Sequence, residues 1–185
     1  MKRRRVGAVQ KVMQNLKKEG DRQCHLIYGA ACIAFYRQWG WRTERISRLL
    51  ELTADVWNEC AKDTEVSMLE MLENETSIEI QNGNGKSWHD LVFLNPKLDV
   101  GNMTEAKVLY MRQQQITWLA PLITACLLLA LHRKYGFGYD RCMRVYTQIK
   151  QIQEEYGMDP KKIRDVCLAE TKINITDKIK ETPKE

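Results

Sequence analysis

The chain has 185 residues, of which 44% are hydrophobic and 29% are charged, and its formal net charge is +5 at pH 7. This balance excludes a disordered chain, and the length is sufficient to bury a core without disulfides or metal ions. Only four prolines and ten glycines stand among many Leu, Ala, Glu, Lys, Arg and Gln residues, which favours helices over strands. We therefore expect one all-α domain that covers residues 1–185.

The chain begins with a basic segment. Residues 1–22 contain eight Lys or Arg against two acidic residues, a net charge of +6, and this charge predicts contacts with nucleic acid. The first four of these cations are Lys2, Arg3, Arg4 and Arg5. Residues 44–79 contain ten acidic residues against three basic ones, a net charge of −7, so head-to-tail self-association is a second explanation. A solvated helix end has the same composition, and residues 1–8 are expected to be flexible.

A first helical hairpin is predicted from residue 24 to residue 62. The run LIYGAACIAFY is apolar on nearly every side, and a helix of that kind belongs in the centre of a fold. Gly40 follows it, between Trp39 and Trp41, and glycine readily adopts the left-handed conformation that ends a helix. A second, amphipathic helix begins near Thr43, a reasonable N-cap residue.

The middle of the chain gives weaker signals. Residues 64–75 continue as an acidic amphipathic helix, and residues 78–80 and 91–94 form either one small β-hairpin or a loop. The run GNGKS at 83–87 is similar to a phosphate-binding loop, but Ile80 occupies the position where that motif requires glycine.

A second hairpin, over residues 117–157, repeats the first at an offset of 96 residues. Residues 30–49 align without a gap with residues 126–145, and five pairs are identical: Ala34 and Ala130, Arg37 and Arg133, Gly40 and Gly136, Arg45 and Arg141, and Arg48 and Arg144. An internal repeat of this kind predicts a duplicated helical hairpin whose two copies pack about a pseudo-two-fold through their apolar helices. Asp159 and Pro160 then start a last helix, and the polar residues 170–185 are expected to be flexible.

The apolar run at 116–131 is shorter than the roughly 20 residues that span a membrane, so we expect a buried core helix and no membrane partner. The six cysteines include no CxxC pair. They are expected to be reduced, buried hydrophobic residues in a cytoplasmic protein. The scattered Cys and His residues predict no metal site, and nothing in the sequence indicates a cofactor.

The second corner carries a recognisable motif. The segment ALHRKYGFGYDRCMRVY at 130–146 resembles the pattern ALHxxFGFGxxRxxR, which occurs in small uncharacterised helical proteins of phages and prophages of Gram-positive bacteria. The matching positions are Ala130, Leu131, His132, Gly136, Phe137, Gly138, Arg141 and Arg144. The first copy departs from the pattern, with Tyr36 for the His and Arg42 for the second Gly. The resemblance implies a phage origin, host cytoplasm as the location, and no established activity.

The repeated arginines are the candidate ligand-binding residues. They are Arg37, Arg45, Arg48, Arg133, Arg141 and Arg144. Matched guanidinium groups on two related hairpins are suited to converge on one anion, because the planar fork binds phosphate with two hydrogen bonds. Exposure on a solvated helix face, with local carboxylate partners, is the competing explanation.

Together with the resemblance, which implies a phage origin, the repeated arginines predict a non-enzymatic phage accessory protein that binds an anionic ligand.

 The ligand we expect first is a signalling nucleotide, whose sequestration would make the protein an anti-defence factor. Two alternatives stand beside this function: a DNA- or RNA-associated factor that uses the basic N-terminus, and an inhibitor that binds a host protein through Trp57, Trp88 and Trp118. No catalytic residues are predicted, and a homo-oligomer is expected.

Overall fold

The structure is a computed structural model that describes residues 2–62, 68–81, 84, 85, 87 and 105–180. Its helices are α1 (Lys2–Trp39), α2 (Thr43–Lys62), α3 (Met68–Thr76), α4 (Glu105–Tyr135), α5 (Tyr139–Glu155), α6 (Pro160–Thr171) and α7 (Ile175–Lys180). The all-α prediction is confirmed, because no strand occurs among these residues. Of the β-hairpin considered for the middle of the chain, residues 78–80 are not in a strand, and residues 91–94 lie outside the described part.

The two apolar helices predicted from the sequence are the buried ends of longer helices, α1 and α4, which pack against each other. In α1 the buried side chains include Leu26, Ile33 and Phe35, and in α4 every residue from 125 to 131 is buried. Pro121 lies within α4. The backbone of α1 is helical from Lys2 onward, so most of the segment 1–8 that we expected to be flexible continues this helix.

The outer helix of each hairpin packs mainly on the central helix of the other hairpin. The central helix α1 packs mainly against α4, α5 and α6, whereas α4 packs mainly against α1, α2 and α3. Each amphipathic helix, α2 or α5, has more contact with the central helix of the other hairpin than with its own. The core is therefore continuous between the halves of the chain, and neither half covers its own central helix.

Both hairpins turn at a glycine with the same geometry. Gly40 and Gly136 each have a φ of +64°, a conformation that glycine adopts without steric cost. The next backbone N–H donates back across the turn in both hairpins, from Trp41 to Phe35 at 3.0 Å and from Phe137 to Leu131 at 3.3 Å. A glycine in the left-handed conformation directly after the last helical residue is a common way to end a helix. The glycine corners predicted from the sequence agree with this geometry.

The helices α3 and α6 also end alike. The hydroxyl of Thr76 and that of Thr171 each donate to the carbonyl four residues earlier, at 2.6 and 2.7 Å. Each hydroxyl also accepts a bond from the backbone N–H two residues later, at 3.3 and 3.2 Å. The intervening residues, Ser77 and Lys172, have φ values of 59° and 63°. Threonine side chains commonly make such local backbone bonds at helix ends.

The chain after α6 is better packed than its polar composition suggested. Thr171, Ile173 and Ile175 are buried in the core, so residues 171–175 pack against the fold, and the flexibility expected from residue 170 onward stays a prediction. Two buried isoleucines alternating with polar residues hold this segment against the fold, because burial of each apolar side chain contributes roughly 1.5–3 kcal/mol.

Two predicted helix starts have different outcomes. Asp159 caps α6, because its carboxylate accepts bonds from the N–H groups of Lys161 and Lys162 at 2.9 and 3.3 Å, with Pro160 in the first turn. Thr43, by contrast, is the first residue of α2, and its hydroxyl donates to the carbonyl of Thr171 at 2.7 Å. Thr43 thus connects the start of α2 to the end of α6.

One helical stretch among the described residues, Ile116–Tyr135, is long and apolar enough to cross a membrane. In this fold 61% of its most apolar window is buried against other parts of the chain. The central helix of a globular fold meets the same criterion, so this stretch is weak evidence for a membrane span.

All six cysteines lie within the described residues and carry thiols rather than disulfides, and five of them are buried. Burial raises the pKa of Cys24 to about 12 and that of Cys142 to about 11, because an apolar environment disfavours the thiolate. The thiol of Cys167 has a lowered pKa because Cys32 donates a hydrogen bond to it, but its side chain is fully enclosed.

We therefore predict that the thiols of the folded protein react slowly with Ellman's reagent at about pH 8, because the thiolate is the nucleophile and it must also be accessible. In denaturant all six should react rapidly. Rapid reaction of one or more thiols in the native protein, at a rate close to that of the unfolded chain, would contradict this structural role.

Candidate ligand-binding site at the aromatic corner

Two of the six candidate arginines bind carboxylates on other helices of the fold. Arg37, in the last turn of α1, donates from Nε to Glu170 at 2.9 Å and from Nη1 to Glu155 at 3.3 Å. Its Nη2 donates to the hydroxyl of Tyr156 at 2.8 Å. Arg37 therefore joins the end of the central helix α1 to both α5 and α6.

Arg133 makes the corresponding contacts at the end of α4. It donates from Nε to Glu75 at 2.9 Å and from Nη1 to Glu59 at 3.3 Å, and so joins α4 to α2 and α3. The sequence reasoning missed these carboxylates, although their spacing was visible in the sequence. Glu155 follows Glu59 by 96 residues and Glu170 follows Glu75 by 95.

In both arginine–carboxylate clusters the paired charges shift each other's pKa values, as expected for ion pairs. The hydrogen bond from Arg133 lowers the pKa of Glu75, and the bond from Arg37 lowers that of Glu170. Both arginines have a raised pKa for the same reason. Because these carboxylates occupy the guanidinium donors, a ligand anion would have to displace them before it could bind Arg37 or Arg133.

We expect the two clusters to lose their contribution to the free energy of unfolding in acid. The pKa values of Glu75 and Glu170 lie below their ordinary value of 4.5 in the folded state. Their contribution is therefore complete above that value and is lost as the pH falls from it through the lower folded pKa. The partners are about a quarter to a third exposed, so we expect only on the order of 1 kcal/mol from each cluster.

The double variant Glu75→Gln/Glu170→Gln should therefore unfold at lower denaturant concentration near neutral pH, and it should lose less stability between about pH 5 and pH 3 than the wild type. The matched control is Glu79→Gln/Glu154→Gln, which removes two charges from exposed positions. An acid dependence that is the same in both variants would contradict the assigned role of the clusters.

The two glycine corners meet in one group of rings. Trp41 stacks on Phe35 with a centroid distance of 4.4 Å and an interplanar angle of 19°, and it lies 4.9 Å from Tyr135. Trp39 lies 5.1 Å from Phe137. We name this group of five rings the aromatic corner. Each hairpin contributes rings to it, so the corner joins the two halves of the chain at one end of the fold.

Arginines cover this group of rings from both helices that leave it. The guanidinium of Arg45, in the first turn of α2, lies 4.0 Å from the centroid of Trp41 and 5.4 Å from that of Tyr135. Arg141, in the first turn of α5, lies 5.8 Å from Phe137. A guanidinium over an aromatic face gains roughly 0.5–1 kcal/mol at exposed sites, so the rings hold Arg45 in particular at a defined position.

The arginines at the corner differ from Arg37 and Arg133 in their partners. Among the ion pairs of the described residues, none includes Arg45, Arg141 or Arg144, and all three are exposed. Arg48 pairs with Glu51 at 3.2 Å, but both side chains are largely exposed, and such a pair contributes little. Stacking uses the face of a guanidinium and leaves its N–H edge for hydrogen bonds to an anion.

The motif residue His132 has a structural role in the second corner. Its Nδ1 donates to the carbonyl of Phe137 at 2.9 Å, because a carbonyl oxygen can only accept. This bond holds the corner closed beside Gly136. The part of the motif that precedes Arg141 therefore shapes the turn. Arg141 and Arg144 remain the candidate ligand-binding residues of the motif.

The other candidate residues do not converge on the aromatic corner. Lys2, Arg3, Arg4 and Arg5 lie at the opposite end of α1, about 50 Å away at 1.5 Å per residue. Trp118 is buried and Trp57 packs partly buried against the core, so neither is suited to be a protruding interface anchor. Trp88 lies outside the described residues.

In the described part of the chain, no group of three or more His, Cys, Asp or Glu side chains is arranged to hold a metal ion.

Comparison with known proteins identifies no family for this chain. No family model, curated protein or solved structure matches it. The candidate site therefore depends on the geometry of its own residues.

Proposed function

We propose that this chain is a non-enzymatic phage accessory protein that binds an anionic ligand at the aromatic corner. The observation that carries the proposal is the position of Arg45, which is stacked on Trp41 at 4.0 Å with no carboxylate partner among the described residues. A fixed, unpaired guanidinium is preorganised for an anion, because less side-chain entropy is lost on binding. Arg141 supplies a second cation on the other hairpin.

We further propose that the chain contains an internal duplication about a pseudo-two-fold, and that each copy extends over three helices. Support comes from the matched glycine corners at an offset of 96 residues and from Thr76 and Thr171 at an offset of 95. The packing of the helices is also reciprocal. The central helix α1 packs on α5 and α6, and the central helix α4 packs on the corresponding helices α2 and α3.

A duplicated site favours a ligand with two anionic groups. Arg45 with Arg48, and Arg141 with Arg144, occupy equivalent positions of the two copies. A cyclic or linear dinucleotide carries phosphates that such a pair of sites would bind, and nucleotides of this class act in bacterial immune signalling. Sequestration of one of them in the host cytoplasm would make the protein an anti-defence factor.

Calorimetric titration of the purified protein with cyclic dinucleotides, linear dinucleotides and nucleoside triphosphates at low salt tests this function. Arg45→Ala/Arg141→Ala should weaken binding at least about tenfold, because hydrogen bonds to charged groups contribute roughly 1.5–3 kcal/mol each. The matched control, Lys161→Ala/Lys162→Ala, removes two exposed charges from α6 and should bind normally. If none of the three nucleotide classes binds, the proposal is wrong.

A stability control accompanies this test, because Arg45 also contacts the rings. Arg45→Lys keeps the charge but loses the planar stacking and the fork of donors. We expect it to fold and to bind more weakly than the wild type.

Light scattering on the same preparation tests the expected homo-oligomer.

A further inference from the structure

Two of the buried thiols face each other across the contact between α1 and α6. Cys32 on α1 and Cys167 on α6 are both fully enclosed. The thiol of Cys32 donates a hydrogen bond to the sulfur of Cys167. Neither residue is part of the aromatic corner, so the proposed binding of an anion does not use this pair.

The register of α1 and α6 brings the two sulfurs together. On one side of the pair, Gly29 lets Ile163 approach so closely that a Cβ atom at position 29 would lie 2.6 Å from its Cγ2. On the other side, Nε of Arg37 donates to Glu170 at 2.9 Å. The two helices therefore run in the same direction, and the thiols lie about one helical turn from each of these contacts.

The last turn of α6 holds the sulfur of Cys167 in place. This sulfur lies 3.5 Å from the hydroxyl of Thr171 and 3.7 Å from the carbonyl oxygen of Ile173. The hydroxyl of Thr171 is fixed in turn, because it donates to the carbonyl of Cys167 at 2.7 Å and accepts a bond from the N–H of Ile173 at 3.2 Å. With these partners on one side and Cys32 on the other, the two sulfurs are positioned to react with each other.

We propose that Cys32 and Cys167 form a redox lock, in which hydrogen peroxide oxidises the two thiols to a disulfide that ties α6 to α1. In the first step the thiolate of Cys167 attacks a peroxide oxygen and the O–O bond breaks. A sulfenic acid remains, and the released hydroxide takes up the proton of the thiol to form water. In the second step Cys32 attacks the sulfenic sulfur, the S–S bond forms, and the second water leaves. Two thiols are oxidised and one peroxide is reduced to two waters.

The order of the two steps follows from the environments of the sulfurs. The hydrogen bond from Cys32 lowers the pKa of Cys167, whereas burial raises the pKa of Cys32. Cys167 is therefore the first nucleophile, because the thiolate is the reactive form. Hydrogen peroxide is uncharged and little larger than water, so small local openings of the fold admit it, whereas the charged aromatic rings of Ellman's reagent need a larger opening.

The test is treatment of the folded, reduced protein with hydrogen peroxide, then catalase, alkylation in denaturant and peptide mapping by mass spectrometry. The expected product is a cross-linked peptide that contains Cys32 and Cys167, with two of the six thiols lost. Cys126 is close enough to Cys24 and Cys60 for their charges to interact, so these three provide the competing pairs. A disulfide among those three instead, or no disulfide at all, overturns the proposal.

Two single variants test the role of the second thiol. In Cys32→Ser the serine hydroxyl can still donate to the sulfur, but no disulfide can form, so Cys167 should be oxidised further to sulfinic acid. The matched control is Cys142→Ser, which removes another buried thiol and should form as much disulfide as the wild type. Equal amounts of sulfinic acid at Cys167 in Cys32→Ser and in the wild type overturn the proposal. Thermal melting of the reduced variants checks that the fold is retained.

The lock itself is measured as a change in melting temperature. Residues 32 and 167 are 135 positions apart in the chain, and a cross-link over a long loop restricts the unfolded chain. Oxidation should therefore raise the melting temperature of the wild type by roughly 5–15 °C, and dithiothreitol should reverse the rise. Cys32→Ser treated in the same way should show no rise. A cross-linked protein that melts at or below the temperature of the reduced protein overturns the lock.

Discussion

Replacement of Trp41 by alanine is expected to lower the free energy of unfolding by about 3–5 kcal/mol, the usual range for truncation of a buried large aromatic side chain. Trp41 is 4% exposed and contacts rings from both halves of the chain: Phe35 in α1 and Tyr135 at the end of α4. It also supports Arg45. The cavity would therefore form where the two hairpins meet, and the loss would be a large part of a typical total stability.

Denaturant unfolding followed by far-ultraviolet circular dichroism measures this effect. Trp41→Phe is the informative partner variant, because Phe137 fills the equivalent place in the second corner with a phenyl ring. It should lose clearly less stability than Trp41→Ala, because it retains an aromatic ring in the corner. Equal stability of the wild type and Trp41→Ala would show that the corner does not hold the hairpins together.

The second large effect concerns Gly29, which lies within α1. Alanine is normally the better helix former by about 1 kcal/mol, but Gly29→Ala is expected to destabilise this protein. A Cβ atom at position 29 would lie 2.6 Å from Cγ2 of Ile163. Ile163 is fully buried on α6 and β-branched, so it cannot rotate away freely. Overpacking of this kind costs roughly 1–3 kcal/mol, which exceeds the gain in helix propensity.

Gly20 provides a matched control in the same helix. A Cβ atom there would have no neighbour within 4 Å, so Gly20→Ala should leave stability unchanged or raise it by up to about 1 kcal/mol. In a double-mutant cycle, Ile163→Ala should remove part of the cost of Gly29→Ala, because it removes the clashing methyl group. Additive effects of these two substitutions would contradict the close approach of α1 and α6.

The geometry separates the repeated arginines into two groups with different consequences. Arg37 and Arg133 are bound by carboxylates from α6 and α3, so their substitution should chiefly affect stability. Arg45 and Arg141 lie over the rings with their donor edges unpaired by described carboxylates, so their substitution should chiefly affect the proposed ligand. Measurement of both stability and binding on both groups distinguishes these roles.

The local features of the fold could be predicted from the sequence because their causes lie within a few residues. The glycine corners depend on a residue that tolerates positive φ, and the cap of α6 depends on Asp159 next to Pro160. The uniformly apolar segments indicated which helices are central. None of these features requires knowledge of the tertiary neighbours.

The partners of the helices could not be predicted in the same way. Apolar periodicity indicates that a helix has a buried side and does not say which helix covers it. Each amphipathic helix was expected to complete its own hairpin, whereas α5 packs on α1 and α2 packs on α4. The spacing of the four glutamates was present in the sequence, but their significance appears only when α3 and α6 lie beside the ends of the central helices.

The sequence by itself determined the all-α class, the two glycine corners and the positions of the repeated arginines, because composition, turn chemistry and alignment are properties of the chain alone. The tertiary structure decided which arginines are paired. Arg37 meets Glu170 and Arg133 meets Glu75 across separations of 133 and 58 residues. Contacts at that separation are set by packing of the whole core, which leaves Arg45 and Arg141 at the aromatic corner as the arginines for the proposed ligand.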